Sequence, residues 1–201
     1  MASPRKYAAY ALGMALLATP LGLASTPKSA LLDSFKSETA APRERLTVKF
    51  EHAGVTVMQT WEIERPNRYH FVQTSESGRQ EFYLLGNSFH TKSATGWSRF
   101  DVPAVPKPPI ADLLQNAIID GIDQVSLKGA ETLRGQTTDH YRAEIRVRDI
   151  RQNMSGVMDV WVARDTGLPL EITLVGQLGD ESFRVEKSLE YDPSIRVVAP
   201  H

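Results

Sequence analysis

Between Arg45 and Tyr191, apolar and polar residues alternate with a period of two, in long runs separated by turn-forming residues. That pattern leaves an antiparallel sheet as the main architecture open to the chain. Val55, Val57, Gln59, Trp61 and Ile63 share one face of a strand, while Thr56, Met58, Thr60, Glu62 and Glu64 share the other. Tyr141, Ala143, Ile145 and Val147 oppose Arg142, Glu144, Arg146 and Arg148. Phe183, Val185, Leu189 and Tyr191 oppose Ser182, Arg184, Glu186 and Glu190, with Lys187 as the one charge on the apolar side. Such strands bury one face and wet the other. Ala53-Gly54, Pro66-Asn67, Ser77-Gly78, Gly86-Asn87, Gly96, Gly129, Gly135, Gly167 and Gly179-Asp180 mark the connections. In WEIERPNRYHFV, residues 61–72, Pro66 pre-sets its φ for a turn and Asn67 tolerates left-handed geometry. Counting runs between turns predicts about ten or eleven strands in a meander.

Two segments leave the period of two. Leu31, Leu32 and Phe35 give residues 29–37 a weak helical stripe, which predicts a short N-terminal helix. Residues 103–109, PAVPKPP, form a stiff connector. Directly after it Ile110, Leu113, Leu114, Ala117 and Ile118 fall at helical spacing, and Gly121 stands where a helix would end. The strong helix is therefore expected at about 110–121.

The first 24 residues read as a secretory signal peptide, with Arg5 and Lys6 before an apolar run from Tyr7 to Leu17 and small residues before a cleavage point at Ser25. The run is short for a spanning helix, which needs about 20 residues. Residues 25–201 are expected as a single domain with no repeat. Cleavage would take the 23 basic residues to 21 against 24 acidic ones, a net of −3, so no basic field favours nucleic acid. The chain has no cysteine, which excludes disulfides, thiolate chemistry and a lipid-bearing cysteine. A soluble periplasmic monomer is expected.

A sheet of this size twists and curls. Its concave face is apolar, and a helix of a dozen residues, about 18 Å long, caps such a surface without filling it. The expectation is mainly β: one antiparallel sheet curled into an incomplete barrel, with a lid helix and an apolar hollow beneath it. Hollows of this kind suit acyl chains, since burying each CH₂ contributes about 0.8 kcal/mol. Trp61, Phe71 and Trp97, with Ile110, Leu113, Leu114 and Ile118 of the lid, are the expected cavity residues. Bulky residues such as Phe82, Trp161 and Phe183 equally suit plain core packing, so the hollow rests on the ratio of sheet to lid.

Glu64-Arg65-Pro66-Asn67-Arg68-Tyr69-His70-Phe71 is the sharpest of several local signals, followed by Gly86-Asn87-Ser88-Phe89, Gly96-Trp97 and the Trp161 strand leading to Gly167-Leu168-Pro169. In this order they resemble the LolA-like superfamily, which includes lipoprotein carriers, LppX-type lipid-binding lipoproteins and the RseB-type sensor domain. Glu64 departs from the basic residue of the carrier's hairpin. The resemblance runs from about Ser29 to Pro193 and implies a half-barrel of about eleven strands with a lid helix. It also implies that Arg65 is a latch, hydrogen-bonded to the lid.

No nucleophile elbow, zinc-protease, P-loop or dinucleotide motif is present, and no catalytic site, metal or cofactor is expected. His70, His90 and His140 each adjoin an aromatic, so period two sends them outward. The expected function is a carrier that binds the acyl chains of a lipid or lipoprotein, passing them from an inner-membrane donor to an outer-membrane acceptor. A sensor domain of the same fold, reading a partner protein or lipid signal, is the alternative.

Overall fold

The computed structural model describes residues 25–101, 119–148 and 153–200. The helix expected at 110–121, with Ile110, Leu113, Leu114 and Ile118, falls almost wholly outside them, as does the signal segment. Helix α1 (Pro27–Ala40) is followed by β1 (Arg43–His52), β2 (Val55–Glu64), β3 (Arg68–Ser75), β4 (Gly78–Leu85), β5 (Ser88–Ser93) and β6 (Gly96–Asp101). Then come β7 (Ile122–Leu133), β8 (Gln136–Arg148), β9 (Asn153–Ala163), β10 (Pro169–Leu178) and β11 (Glu181–Glu190).

These strands make one 11-stranded sheet in the order β6-β5-β4-β3-β2-β1-β11-β10-β9-β8-β7. Two meanders meet at the β1–β11 pair, where Leu46 opposes Leu189 and Phe50 opposes Val185. β6 and β7 remain as edges, so the sheet curls without closing, and the chain between them joins one edge to the other. Gly129, expected at a turn, lies inside β7 at a register shift opposite His140, where its φ of 142° suits a residue without a Cβ.

Helix α1 starts on Thr26, whose side chain accepts a hydrogen bond from the Ser29 backbone N–H, with Pro27 in the first turn. It is longer than the weak stripe predicted. Leu31, Ser34, Phe35 and Glu38 form its buried face, at i, i+3, i+4 and i+7. The helix packs against β7 and β10. Leu31 and Phe35 join Ile122, Tyr141, Ile145, Met158, Val160 and Leu174 in one core on the concave face. Part of the hollow attributed to a lone lid is thus occupied by α1. Lys187, the odd charge on that face, forms an ion pair with Glu38 of α1.

Gly156 and Gly176 face each other across β9 and β10. A Cβ on Gly176 would lie 2.1 Å from the Ser155 carbonyl oxygen and 3.0 Å from Cε1 of Phe183. The missing side chain of Gly176 leaves room for the Phe183 ring beside it.

Candidate functional site

The wing of the sheet away from α1 carries a ladder of aromatic rings on its concave side. Register pairs Trp61 of β2 with Phe71 of β3, and Phe71 with Phe82 of β4. Ring centroids are 4.2 Å apart for Trp61–Phe71, 4.6 Å for Phe71–Phe82 and 5.3 Å for Phe82–Phe89. Phe89 of β5 opposes Phe100 of β6. Exposure rises along the ladder, from 6% at Phe71 to 53% at Phe100 on the edge strand. A contiguous apolar surface that grows more open toward a sheet edge is suited to receiving a guest rather than completing a core. Trp61 and Phe71 stand where the alternation puts them.

Trp97 does not. It pairs with Lys92, opposite in phase to the Thr91–Ser98 pair that continues the concave face, so it lies on the convex side. There it meets Tyr83 edge-on at 5.3 Å, with Lys92 Nζ 5.5 Å from its ring. Phe89 and Phe100 take its place on the concave side; Arg99, two residues on and therefore on the same face as Trp97, is the signal for its true face. The phase of so short a strand is hard to read from period alone.

Arg65 joins the β2–β3 turn to the end of α1 and to β1. Its Nη1 donates to the Ala41 carbonyl at the C-cap of α1, 2.7 Å away, and its Nη2 to Glu44 at 2.8 Å. Among the described residues it therefore secures the end of α1, and the lid contact implied by the resemblance falls outside them. Burial pushes the Glu44 carboxyl above the usual range, against the pull of Arg65. Burial and the nearby Glu38 and Glu44 carboxylates also push the Tyr191 phenol upward.

The convex face is polar and cross-linked. Arg45 bridges Glu62 and Glu190 at 2.8 and 3.0 Å. His70 lies 3.1 Å from both Glu62 and Glu81 and stacks on Tyr83 at 4.1 Å. His140 stands 2.8 Å from both Glu131 and Asp159 and stacks on Trp161 at 4.5 Å. Burial raises the Glu62 and Glu81 carboxyls, but hydrogen bonds from His70 and the nearby arginines outweigh it and hold both below the usual range. Among the described residues no group of three or more His, Cys, Asp or Glu is arranged to hold a metal ion. No described helix is long and apolar enough to cross a membrane.

A cleft of about 580 Å³ opens elsewhere, between the β1–β2 and β10–β11 turns, lined by His52, Glu181 and Phe183 among others. Neither Trp61, Phe71 nor Trp97 is among the described residues that line it.

No family model matches the chain, and no curated protein matches it. Solved structures do. The lipoprotein LppX of Mycobacterium tuberculosis matches with a TM-score of 0.58 at 15% identity, covering 86% of this chain and 98% of that one. LprF of Mycobacterium bovis matches with a TM-score of 0.56 at 10% identity, covering 87% and 96%. The Pseudomonas aeruginosa MucA/MucB complex scores 0.42 at 18% identity over 88% of this chain and 64% of that one, too remote to carry weight. The chain has the fold of LppX and LprF.

Proposed function

We propose that this protein is an exported, non-enzymatic carrier that takes up the acyl chains of a lipid or lipoprotein along the concave face of its open sheet. The observation that carries this reading is the ladder from Trp61 through Phe71, Phe82 and Phe89 to Phe100, which runs from the core to an open edge. A ladder that ended in the core would need no exposed phenylalanine at its outer end. Chains laid along it lose water-exposed CH₂ groups with no directional chemistry, as a carrier of varied acyl groups requires. Residues 110–118, with Ile110, Leu113, Leu114 and Ile118, lie in the segment that joins β6 to β7 and form the gate over this surface. Arg65 holds the α1 side of the half-barrel in place while the gate moves. A gate that closes too tightly would subtract from ligand affinity, so its two states differ by little.

Purification without detergent, followed by native mass spectrometry, tests the reading. One acyl-bearing ligand per chain is expected, with loss of that mass when Phe82 and Phe89 are replaced by serine. A protein that is empty as isolated, and that takes up no acyl ligand after delipidation, would overturn it.

A further inference from the structure

The concave side of the wing formed by β2–β6 carries no charge. Register places on that side the odd positions 55–63, 69–75 and 89–93 and the even positions 78–84 and 96–100. Every one is apolar, aromatic, Gly, Ser, Thr or Gln. The same strands are not short of cations: Arg68, Arg79, Lys92 and Arg99 all stand at convex positions. Elsewhere on the concave side the strands do carry charges, and these are paired: Glu44 with Arg65, Lys187 with Glu38, Asp139 with Arg164 and Glu181 with His52.

Within this neutral wing the polar groups form a row. Gln59 opposes Gln73, and Gln73 opposes Gln80, on three adjacent strands. Gln59 Nε2 donates to Gln73 Oε1 at 2.9 Å, and Trp61 Nε1 reaches Gln59 Oε1 at 3.5 Å. The row stands two residues along each strand from the aromatic ladder, about 7 Å. Each amide offers both a donor and an acceptor, and the described residues take up only part of that capacity.

We propose that this row receives the head of the acyl ligand, and that the head is an uncharged hydrogen-bonding linkage such as an ester, amide or hydroxyl. The inference rests on the carrier reading and adds the ligand's class to it. An amide row satisfies carbonyls and hydroxyls, whereas a phosphate or carboxylate brought against it would shed water with no cation to meet it. A neutral glyceride and the acylated terminus of a lipoprotein share this chemistry.

Tryptophan fluorescence, with Trp61 within the ladder, reads binding to delipidated full-length protein. The probes are dioctanoylglycerol, dioctanoyl-phosphatidylglycerol with the same chains, and a triacylated lipopeptide of neutral sequence. Binding of dioctanoylglycerol, the lipopeptide or both at least roughly tenfold tighter than the anionic lipid is expected, and which of them binds identifies the source. Replacing Gln73 by Lys is expected to abolish that preference while circular dichroism shows an unchanged sheet. Equal or tighter binding of the anionic lipid by the unaltered protein overturns the head-group assignment and leaves the carrier reading standing. Binding of no acyl probe at all overturns both.

Discussion

The Arg65 guanidinium lies 2.8 Å from the carboxylate of Glu44, a side chain only 1% exposed. The second carboxylate oxygen, Oε2, has no hydrogen-bond partner among the described residues. Arg65 is therefore the main counter-charge for an ion that the fold has removed from water, and through its bond to Ala41 it also ties β2 to α1. Removing one partner of such a pair leaves an uncompensated buried charge, which costs far more than the intact pair contributes.

Replacing Arg65 by Leu is accordingly expected to destabilise the protein by about 3–5 kcal/mol, read from urea unfolding near neutral pH. The loss depends on pH. Glu44 is already held above its ordinary value by burial, and without Arg65 it rises further. A carboxyl whose folded value is raised weakens the fold as pH climbs from its unfolded value near 4.5 through the folded one. The variant is expected to lie closer to the unaltered protein at pH 4.5 than at pH 8, and Glu44→Gln in the same chain is expected to recover part of the loss. A pH-independent deficit would contradict this account.

The convex side obeys the opposite sign. Glu62 and Glu81 are held below their ordinary 4.5, so the stability they supply is present above that value and lost as pH falls through the lowered ones. His70, which faces Glu62 on β2, Glu81 and Tyr83 on β4 and lies two strands from Arg45 of β1, is common to both carboxylates. Replacing His70 by Gln, which cannot reproduce the ring's bonds to both carboxylates, is expected to shallow the fall in melting temperature between pH 5 and pH 3. Parallel curves for the two proteins would show that His70 does not hold these carboxylates down.

Much of this is legible in the sequence. Period two placed Trp61, Phe71, Tyr141 and Phe183 on the buried face, and the turn residues separated the strands. Trp97 was misplaced because β6 is six residues long and holds Trp97 and Phe100 in opposite phase, so either aromatic fits an inward face. The weight of α1 was hidden for a different reason. Two of its four buried residues, Ser34 and Glu38, are polar; Ser34 donates to the Leu31 carbonyl within the helix, and only the sheet shows what meets Glu38. The oddity of Lys187 on an apolar face was visible, and its explanation lay in Glu38, at a sequence distance no local pattern spans.

The ladder separates stability from binding. Phe71 is buried at its inner end, and Phe71→Ala is expected to cost about 3–5 kcal/mol through the cavity left among Trp61 and Phe82. Phe100 is half exposed, so Phe100→Ser is expected to change stability by no more than about 0.5 kcal/mol. It is expected to weaken acyl binding severalfold, measured by the same fluorescence titration. Unchanged affinity in Phe100→Ser would confine the binding surface to the inner rungs.

Close approach makes Gly176 a packing determinant. An added Cβ meets backbone at the Ser155 carbonyl, which cannot swing aside, and the ring of Phe183 beyond it. Gly176→Ala is expected to cost roughly 1–3 kcal/mol as the β9–β10 pair spreads. Combining it with Phe183→Leu is expected to restore little, because the nearer clash is with backbone. Full rescue by the smaller side chain would place the constraint in the ring instead.

Lys187 and Glu38 allow the converse of the Arg65 experiment. Both are largely buried, with side chains 16% and 2% exposed, and their contact joins the concave face of β11 to the buried face of α1. Desolvating two ions costs several kcal/mol each, and their attraction recovers this only while both are present. Lys187→Met alone is expected to destabilise by about 3–5 kcal/mol, by taking from the buried Glu38 carboxylate the ammonium group that faces it. Adding Glu38→Leu replaces the pair by apolar groups of similar volume at a site bordered by the core, and is expected to return stability to near or above its starting value. Urea unfolding of the two single variants and the double variant closes a thermodynamic cycle, in which additive losses would show that the two side chains are not coupled. If the double variant is stable but takes up acyl ligand more slowly or more weakly, the ion pair sets the position of α1 rather than the stability of the fold.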